Sequence, residues 1–266
     1  MSQKVKRGMA EVNGARLYYE MRGSGPPLLF IPGADGDAEV FSRPAELLKE
    51  EFTVLNYDRR GYSRSLRPDH YAGTTVIEHA DDAAALLEVL DLAPATVWGN
   101  SSGAIIALSL VLRHPQSVTR AFLHEPPLAA GMRDHSATES FLLEATKNGK
   151  IPFLKMLMGE SLYEGLPADY RGRLEADDTW IRYEFGNFES YRPSDEELAG
   201  AERPLVVLHG VETLPFFGEV CDWLGSRANC EVVELPGNHA IHYERPDEVA
   251  KTIRRFVARE QREQRD

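Results

Sequence analysis

The sequence is poor in cysteine, lacks long apolar runs and has no excess of positive charge. Cys221 and Cys230 are its only cysteines, too few for a disulfide framework and without the spacing of metal ligands. We therefore expect two reduced thiols and a cytoplasmic protein. No apolar run reaches the length of a membrane span, and none follows the basic residues at 4–7, so we predict neither a membrane helix nor a secretory signal.

Acidic residues outnumber basic ones, 42 to 30, and the net charge is −12. This balance argues against nucleic acid and anionic membranes as partners, because both present negatively charged surfaces. It places no restriction on a small neutral ligand. The length of 266 residues allows one large α/β domain, with or without an inserted cap, or two small domains.

Short apolar segments bounded by turn residues recur along the chain. Asn13-Gly14, between flanks that favour β structure, predicts a tight hairpin. Six more strands are predicted at 28–31, 52–58, 95–99, 118–125, 204–210 and 230–237. Continuous apolar strands of this kind are typical of parallel strands that are buried on both faces.

Helical patterns at 75–92, 103–115 and 246–264 alternate with these strands. The alternation predicts an α/β fold with a mostly parallel, eight-stranded sheet flanked by helices. The rhythm stops between about Pro126 and Arg203, where the patterns are helical and no strand is convincing. We therefore expect a core domain at 1–127 and 202–266, with a helical cap inserted at 128–201.

The stretch from Gly99 to Gly103 fits G-x-S-x-G, with Ser101 in the middle. A predicted strand precedes it and a predicted helix follows, which is the context of a nucleophile elbow. The two glycines leave room for the sharp turn, so Ser101 would project at a helix N-terminus as the nucleophile. The alternative is a tight strand-to-helix turn without chemistry.

An oxyanion hole needs backbone N–H groups beside the nucleophile. One should come from Ser102, the residue after the nucleophile, whose own hydroxyl we expect to bond locally at the helix start. The second should come from the loop after the strand at 28–31, through Gly33 or Ala34.

A serine nucleophile needs a general base, because its hydroxyl is hardly ionised at neutral pH. His239 lies in a turn between the last predicted strand and the last predicted helix, late in the chain as the order Ser…acid…His requires. His242, three residues on, is the competing candidate.

The acid that would orient the base is less regular. The strand at 204–210 is followed by Glu212 and contains no Asp at its end. Glu125 ends the preceding strand, and functional residues of open α/β sheets cluster at such carboxyl ends. We predict Glu125 as the acid, with Glu212 as the alternative.

Two further groups of residues admit both a catalytic and a structural interpretation. Asp58 and Arg59 follow a strand, and we interpret them as residues that shape a turn. Trp180 and Tyr183 lie in an aromatic part of the cap, where they would either bind substrate or pack between helices. For Trp180 we favour the pocket.

Five stretches resemble landmarks of the α/β-hydrolase superfamily, in the same order along nearly the whole chain. They are FIPGADG (30–36), NYDRRGYSRS (56–65), ATVWGNSSGA (95–104), FLHEPP (122–127) and LPGNHAIHYERPDEV (235–249). Three of their patterns, ATVWG-x-SSGA, HE-x-P and LPG-x-H, are similar to fungal zearalenone hydrolases, which open a macrocyclic lactone.

The resemblance to that group implies a Ser-Glu-His triad whose Glu lies one strand earlier than usual, which matches Ser101, Glu125 and His239. It also implies a cap tryptophan that faces the substrate, at a place comparable to Trp180. The loop IPGADGD departs from the loop of the fungal group, so the resemblance does not assign the second oxyanion donor.

We therefore expect a cofactor-free, metal-free serine hydrolase of a small-molecule ester or lactone. Hydrolysis or lysis of a carbon–carbon bond by the same triad is an alternative, as is a hydrolase-fold protein that only binds its ligand. The sequence leaves the substrate and the oligomeric state open, with a homodimer as one option.

Overall fold

The computed structural model describes residues 5–67 and 70–263, and the strands found there form one eight-stranded sheet. The strands are β1 (Lys6–Val12), β2 (Ala15–Arg22), β3 (Pro27–Ile31), β4 (Thr53–Tyr57), β5 (Ala95–Asn100), β6 (Val118–His124), β7 (Leu205–Gly210) and β8 (Glu231–Leu235). Their spatial order is β1-β2-β4-β3-β5-β6-β7-β8. Strands β3 to β8 pair in parallel, whereas β2 is antiparallel to both β1 and β4.

The hairpin and the mostly parallel sheet that the sequence predicts are thereby confirmed. Asn13 and Gly14 both adopt positive φ angles, 47° and 75°, as a two-residue hairpin loop requires. The predicted helices at 75–92, 103–115 and 246–264 are present, whereas the helix at 42–48 was not predicted.

Helices cover the sheet and also fill the segment between β6 and β7. They are α1 (Ser42–Leu48), α2 (Val76–Val89), α3 (Ser102–Arg113), α4 (His135–Thr146), α5 (Lys150–Met158), α6 (Glu160–Glu164), α7 (Ala168–Ala176), a π-helical turn (Trp180–Glu184), α8 (Phe185–Glu189), α9 (Asp195–Ala199), α10 (Pro215–Arg227), α11 (Ile241–Glu244) and α12 (Pro246–Glu263). None of the helices in the described part of the chain combines the length and the apolar character needed to cross a membrane.

The two faces of the sheet build two apolar cores. Leu29 of β3 belongs to one core together with Ile106 of α3. Its neighbour Phe30 belongs to the other, with Leu48 of α1 and Ile253 of α12. Because successive side chains of a strand point to opposite faces, this alternation means that β3 is buried on both sides, as its continuous apolar sequence predicts.

The segment between β6 and β7 is helical, and none of its described residues joins the sheet as a strand. Its helices α4 to α9 lie between the carboxyl end of β6 and the start of β7, where the sequence predicts the cap at 128–201. The division of the chain into a core domain and a cap stays our proposal.

Candidate active site

Ser101 occupies a sharp turn between β5 and α3. Its φ and ψ angles are 56° and −127°, a region that non-glycine residues rarely adopt. The turn is held from both sides, because the Ser101 N–H donates to His124 O at 2.9 Å and the Ser101 carbonyl accepts from Ala104 N at 2.9 Å. The side chain stays partly exposed while its neighbours are buried.

The glycines on either side of the turn permit close backbone contacts. A Cβ at Gly99 would lie 2.2 Å from Gly103 O, and a Cβ at Gly103 would lie 2.2 Å from Ile31 O. Both distances are far below any real contact of a Cβ. The strand, the turn and the helix therefore approach each other in a way that only glycine allows at these two positions.

His239 and Glu125 are hydrogen-bonded to each other, with Nδ1 of the histidine 2.5 Å from Oε2 of the carboxylate. His239 follows β8 and is buried, and the ring of Phe217 stacks on its imidazole at 4.5 Å. An ionised carboxylate only accepts hydrogen bonds, so Nδ1 carries a proton, and in the neutral form of the imidazole Nε2 then has the lone pair. This is the tautomer that can take a proton from a hydroxyl.

Glu125 reaches His239 across the end of the neighbouring strand β7. Its backbone N–H donates to Leu208 O at 2.9 Å, and its φ of 49° turns the chain sharply after β6. Its carboxylate accepts hydrogen bonds from Gly210 N at 2.8 Å and from the Thr213 hydroxyl at 2.9 Å. The loop after β7, which lacks an Asp, thus supports the carboxylate that β6 supplies.

The electrostatic surroundings keep Glu125 ionised. Burial by itself raises the pKa of Glu125, but the neighbouring His124 and His239 outweigh burial and lower that pKa to about 2. His124 is fully buried beneath the site, and burial lowers its pKa to about 4, so at neutral pH it is uncharged. Its Nδ1 lies 2.5 Å from the side-chain oxygen of Asn100.

The competing base and acid are not paired with each other. His242 lines the space beside Ser101 but is hydrogen-bonded to neither candidate acid in the described part of the chain. His242 is buried in α11, packs against Phe41 and Tyr243, and burial lowers its pKa well below the usual value. Glu212 is exposed, and its backbone N–H donates to Gly237 O. The structure thus pairs His239 with Glu125, the two residues that the sequence favours as base and as acid.

Two small spaces adjoin Ser101. One is apolar and runs towards the cap segment, with Ile105, Phe153, Trp180, Phe188 and Phe217 among its lining residues. The other has both Ser101 and His239 in its lining. Its lining includes Gly33, Ala34, Asp35 and His242.

Trp180 and Tyr183 have different surroundings, although both are candidates for binding substrate. Trp180 is buried in the lining of the apolar space, and its indole N–H has no hydrogen-bond partner among the described residues. The structure does not bring Tyr183 to either space beside Ser101. Its ring instead packs edge-on against Tyr71 at 5.5 Å and lies beneath the guanidinium of Arg67.

Backbone N–H groups suited to an oxyanion flank Ser101. The Ser102 N–H begins α3, where no intrahelical acceptor exists. Gly33 is close on the other side, since a Cβ there would lie 3.0 Å from Ser101 Cβ. One prediction is wrong: the buried Ser102 hydroxyl has no hydrogen-bond partner in the described part of the chain, although we expected it to bond at the helix start.

Asp58 shapes the turn after β4, as the sequence predicts. Its carboxylate accepts from Ala38 N at 2.7 Å and from Arg64 N at 2.9 Å, and its carbonyl accepts from the Ser65 hydroxyl. Arg59 is different, because it is fully buried and reaches both the loop after β3 and the cap segment.

Neither metal-ligand clusters nor paired cysteines occur in residues 5–67 and 70–263. No group of three or more His, Cys, Asp or Glu side chains there is placed to hold a metal ion. Cys221 and Cys230 are free, and burial raises the pKa of both thiols.

Sequence comparison places the chain in a family. Residues 26–246 match the model of the alpha/beta hydrolase fold family. Because this match covers most of the chain and agrees with the sheet and the elbow described above, the protein belongs to the α/β-hydrolase fold family.

Its relatives include hydrolases. An uncharacterized hydrolase, YraK, of Bacillus subtilis is 35% identical over 243 residues, 88% of this chain and 90% of that protein. The zearalenone hydrolase of Bionectria ochroleuca is 29% identical over 263 residues, 94% of this chain and 97% of that protein. The crystal structure of the enol-lactonase of Burkholderia xenovorans LB400 superposes with a TM-score of 0.76 at 22% identity, covering 94% of this chain and 100% of that chain. Family and relatives support a hydrolase, and the last comparison supports the fold.

Proposed function

We propose that the protein is a cofactor-free serine hydrolase of esters or lactones, with Ser101, His239 and Glu125 as its catalytic triad. The observation that carries the proposal is the 2.5 Å contact between His239 and Glu125. Ser101 and His239 line the same small space, so the histidine that Glu125 holds lies beside the serine.

The first half of the reaction forms an acyl-enzyme. Ser101 Oγ attacks the substrate carbonyl while His239 Nε2 takes the hydroxyl proton, and Glu125 stabilises the resulting imidazolium. The carbonyl oxygen becomes an oxyanion, which accepts hydrogen bonds from the Ser102 N–H and from the loop at Gly33 and Ala34. Collapse of this intermediate breaks the carbon–oxygen bond, and His239 returns the proton to the leaving alcohol.

The second half consumes one water. His239 removes a proton from that water, the hydroxide attacks the acyl carbon, and the acid is released as Ser101 regains its proton. In a lactone the leaving alcohol is part of the acyl chain, so this step releases a single hydroxy acid. The balance is one ester and one water to one acid and one alcohol.

The apolar space indicates what kind of substrate fits. Its aromatic lining favours an apolar body, whereas the unpartnered Trp180 N–H favours an acceptor oxygen at one point of that body. A macrocyclic lactone with a further oxygen substituent meets both conditions, and relatives of this chain include zearalenone hydrolases.

The test compares the two adjacent serines. A fluorophosphonate probe should label the wild-type protein and Ser102→Ala at Ser101, and it should leave Ser101→Ala unlabelled. Ser101→Ala should also lose turnover of 4-nitrophenyl butyrate and of zearalenone while it keeps its thermal unfolding midpoint. Full activity in Ser101→Ala would overturn the mechanism, and labelling without turnover of any ester or lactone would overturn the substrate class.

A further inference from the structure

The loop after β3 is held in place by a buried arginine. Nη2 of Arg59 donates to Gly33 O at 2.8 Å, and Gly36 N donates to the same oxygen at 3.0 Å. A trans peptide unit is planar, so its N–H points opposite to its C=O. With Gly33 O fixed on Arg59, the Ala34 N–H must point away from Arg59.

The Ala34 N–H is also unused. Ala34 is buried, and no acceptor for its N–H occurs among the residues that the structure describes. A buried N–H without an acceptor costs free energy unless a ligand supplies one. The loop lies against Ser101, and the contact of Gly33 O with Arg59 fixes the direction of the Ala34 N–H, so we take Ala34 as the second oxyanion donor.

The cap segment supplies the carboxylate partner of Arg59, whose Nη1 also lies 2.8 Å from Nε2 of His79. Nη1 of Arg59 donates to Glu184 Oε2 at 3.0 Å, and both side chains are completely buried. Glu184 also accepts hydrogen bonds from the Tyr62 hydroxyl at 2.8 Å and the Tyr71 hydroxyl at 2.7 Å. The guanidinium lies over the ring of Tyr62 at 4.3 Å, so Arg59 has little freedom to move.

Glu184 belongs to the same turn as Trp180. The two residues bound the π-helical turn, in which Phe185 N donates to Trp180 O. Trp180 lines the apolar space beside Ser101, whereas Glu184 holds Arg59. One turn of the cap segment therefore touches both the substrate space and, through Arg59, the oxyanion loop.

We propose that Arg59 is a positioning residue, which aims the Ala34 N–H at the oxyanion, and that Glu184 holds Arg59 in the position to do so. The proposal rests on the proposed hydrolase function, because an oxyanion hole has a purpose only if Ser101 attacks a carbonyl. Arg59 does not touch the reacting atoms. Arg59 fixes the direction of the Ala34 N–H before negative charge develops on the carbonyl oxygen. Donors that are already in position stabilise an oxyanion most strongly.

The test uses Arg59→Lys and Glu184→Gln, with Arg60→Lys as a matched control. A lysine has one ammonium group and cannot bridge Gly33 O and Glu184 as the guanidinium fork does. Arg60 lies on the same loop but binds Asp82 at 2.7 Å and Asn13 O at 3.0 Å, away from the oxyanion loop. The Arg60→Lys variant therefore shows how much activity an Arg-to-Lys change in this loop loses when the contacts of Arg59 stay intact.

The readouts are kcat and KM for 4-nitrophenyl butyrate, and the inhibition constant of phenylboronic acid, whose serine adduct is tetrahedral like the intermediate. For Arg59→Lys we expect kcat to fall about 10- to 100-fold, with a matching loss of boronate affinity and KM within about threefold. Glu184→Gln should show the same pattern at about tenfold. Arg60→Lys should change neither constant.

The double variant Arg59→Lys/Glu184→Gln tests the link between the two residues. If Glu184 acts through Arg59, the double variant should lose no more kcat and boronate affinity than Arg59→Lys alone. The effects of substitutions at residues in contact do not simply add. Losses that multiply would overturn the role of Glu184.

The remaining outcomes separate this inference from the hydrolase proposal. A lower unfolding midpoint with kcat and boronate affinity within threefold of wild type would overturn the role of Arg59 and show a structural ion pair. If Arg59→Lys fails to fold, the boronate affinity of Glu184→Gln is the test: a loss of about tenfold supports the inference, and a value within threefold of wild type overturns it. A wild-type protein that neither hydrolyses the ester nor binds the boronate would overturn the proposed function and this inference with it.

Discussion

Replacing Glu125 with Gln is the sharpest perturbation that the site allows, because the surrounding contacts dictate how the new amide must lie. Gly210 N donates to Oε1 of Glu125, so the amide oxygen of the glutamine must remain there. The amide nitrogen then takes the place of Oε2, which faces Nδ1 of His239. An NH₂ group cannot accept, so Nδ1 must become the acceptor.

This change moves the imidazole proton of His239 to Nε2. The nitrogen that should take the proton of Ser101 then already carries one, and the base is lost. Fixing the wrong tautomer in this way costs about 10⁴-fold in kcat, or about 5.5 kcal/mol of activation free energy. We expect KM to stay within about threefold, since Glu125 does not line the apolar space that would hold the substrate.

The stability of the Glu125→Gln variant tests the ionisation of Glu125 without an activity assay. The pKa of Glu125 falls from 4.5 to about 2 in the folded protein. This carboxylate therefore contributes stability that is present above pH 4.5 and lost as the pH falls towards 2. The difference in urea unfolding free energy between wild type and variant should shrink over that window.

Glu212→Gln is the matched control, because Glu212 is the exposed acid that the sequence offered instead. Steady-state kinetics of 4-nitrophenyl butyrate hydrolysis should show kcat within twofold of wild type for this control. If Glu125→Gln kept more than a tenth of kcat, or if Glu212→Gln lost as much as it, Glu125 would not be the orienting acid.

Three further predictions concern neighbouring residues. Gly33→Ala should lower kcat about 10- to 100-fold in the same assay. The new Cβ would lie 3.0 Å from both Asn100 O and Ser101 Cβ and would push the loop away from Ser101. An unchanged kcat would refute this contact. Trp180→Phe keeps an aromatic ring but removes the free N–H, so KM for a lactone substrate should rise about tenfold, and an unchanged KM would exclude that hydrogen bond. Burial raises the pKa of Asp35 from 3.8 to about 6, so its charge destabilises the fold at pH 7 and the penalty is relieved as the pH falls from 6 to 4. Asp35→Asn should raise the unfolding free energy at pH 7 by about 1–3 kcal/mol, and the variant should not gain stability between pH 6 and 4 as the wild type does. If urea denaturation gave the same change with pH for both proteins, this prediction would be contradicted.

Much of the fold is determined by local sequence patterns. Apolar strands between turn residues, the Asn13-Gly14 hairpin and the helical periodicities each depend on neighbouring residues, and the structure confirms them. The elbow is equally local, since Gly99 and Gly103 are needed within one turn around Ser101. Chain order favoured His239 as the base, and the end of a predicted strand favoured Glu125 as the acid; their catalytic roles stay predictions.

The aromatic part of the cap segment shows where a local pattern is insufficient. Trp180 and Tyr183 are three residues apart and were predicted together, yet only Trp180 lines the space beside Ser101. The π-helical turn changes the angular spacing of these side chains, and a period of 3.6 residues cannot foresee it. Which aromatic ring faces the site was decided by the tertiary structure.

The sequence by itself determined the individual strands, the elbow and the residue types available for chemistry, because each depends on residues close together in the chain. The tertiary structure alone decided which of those residues meet. Gly210 at the end of β7 and Thr213 in the loop after it support Glu125, and Arg59 meets Glu184 across 125 positions of the chain. Such contacts are formed by packing of distant elements, and no pattern within either element encodes the partner.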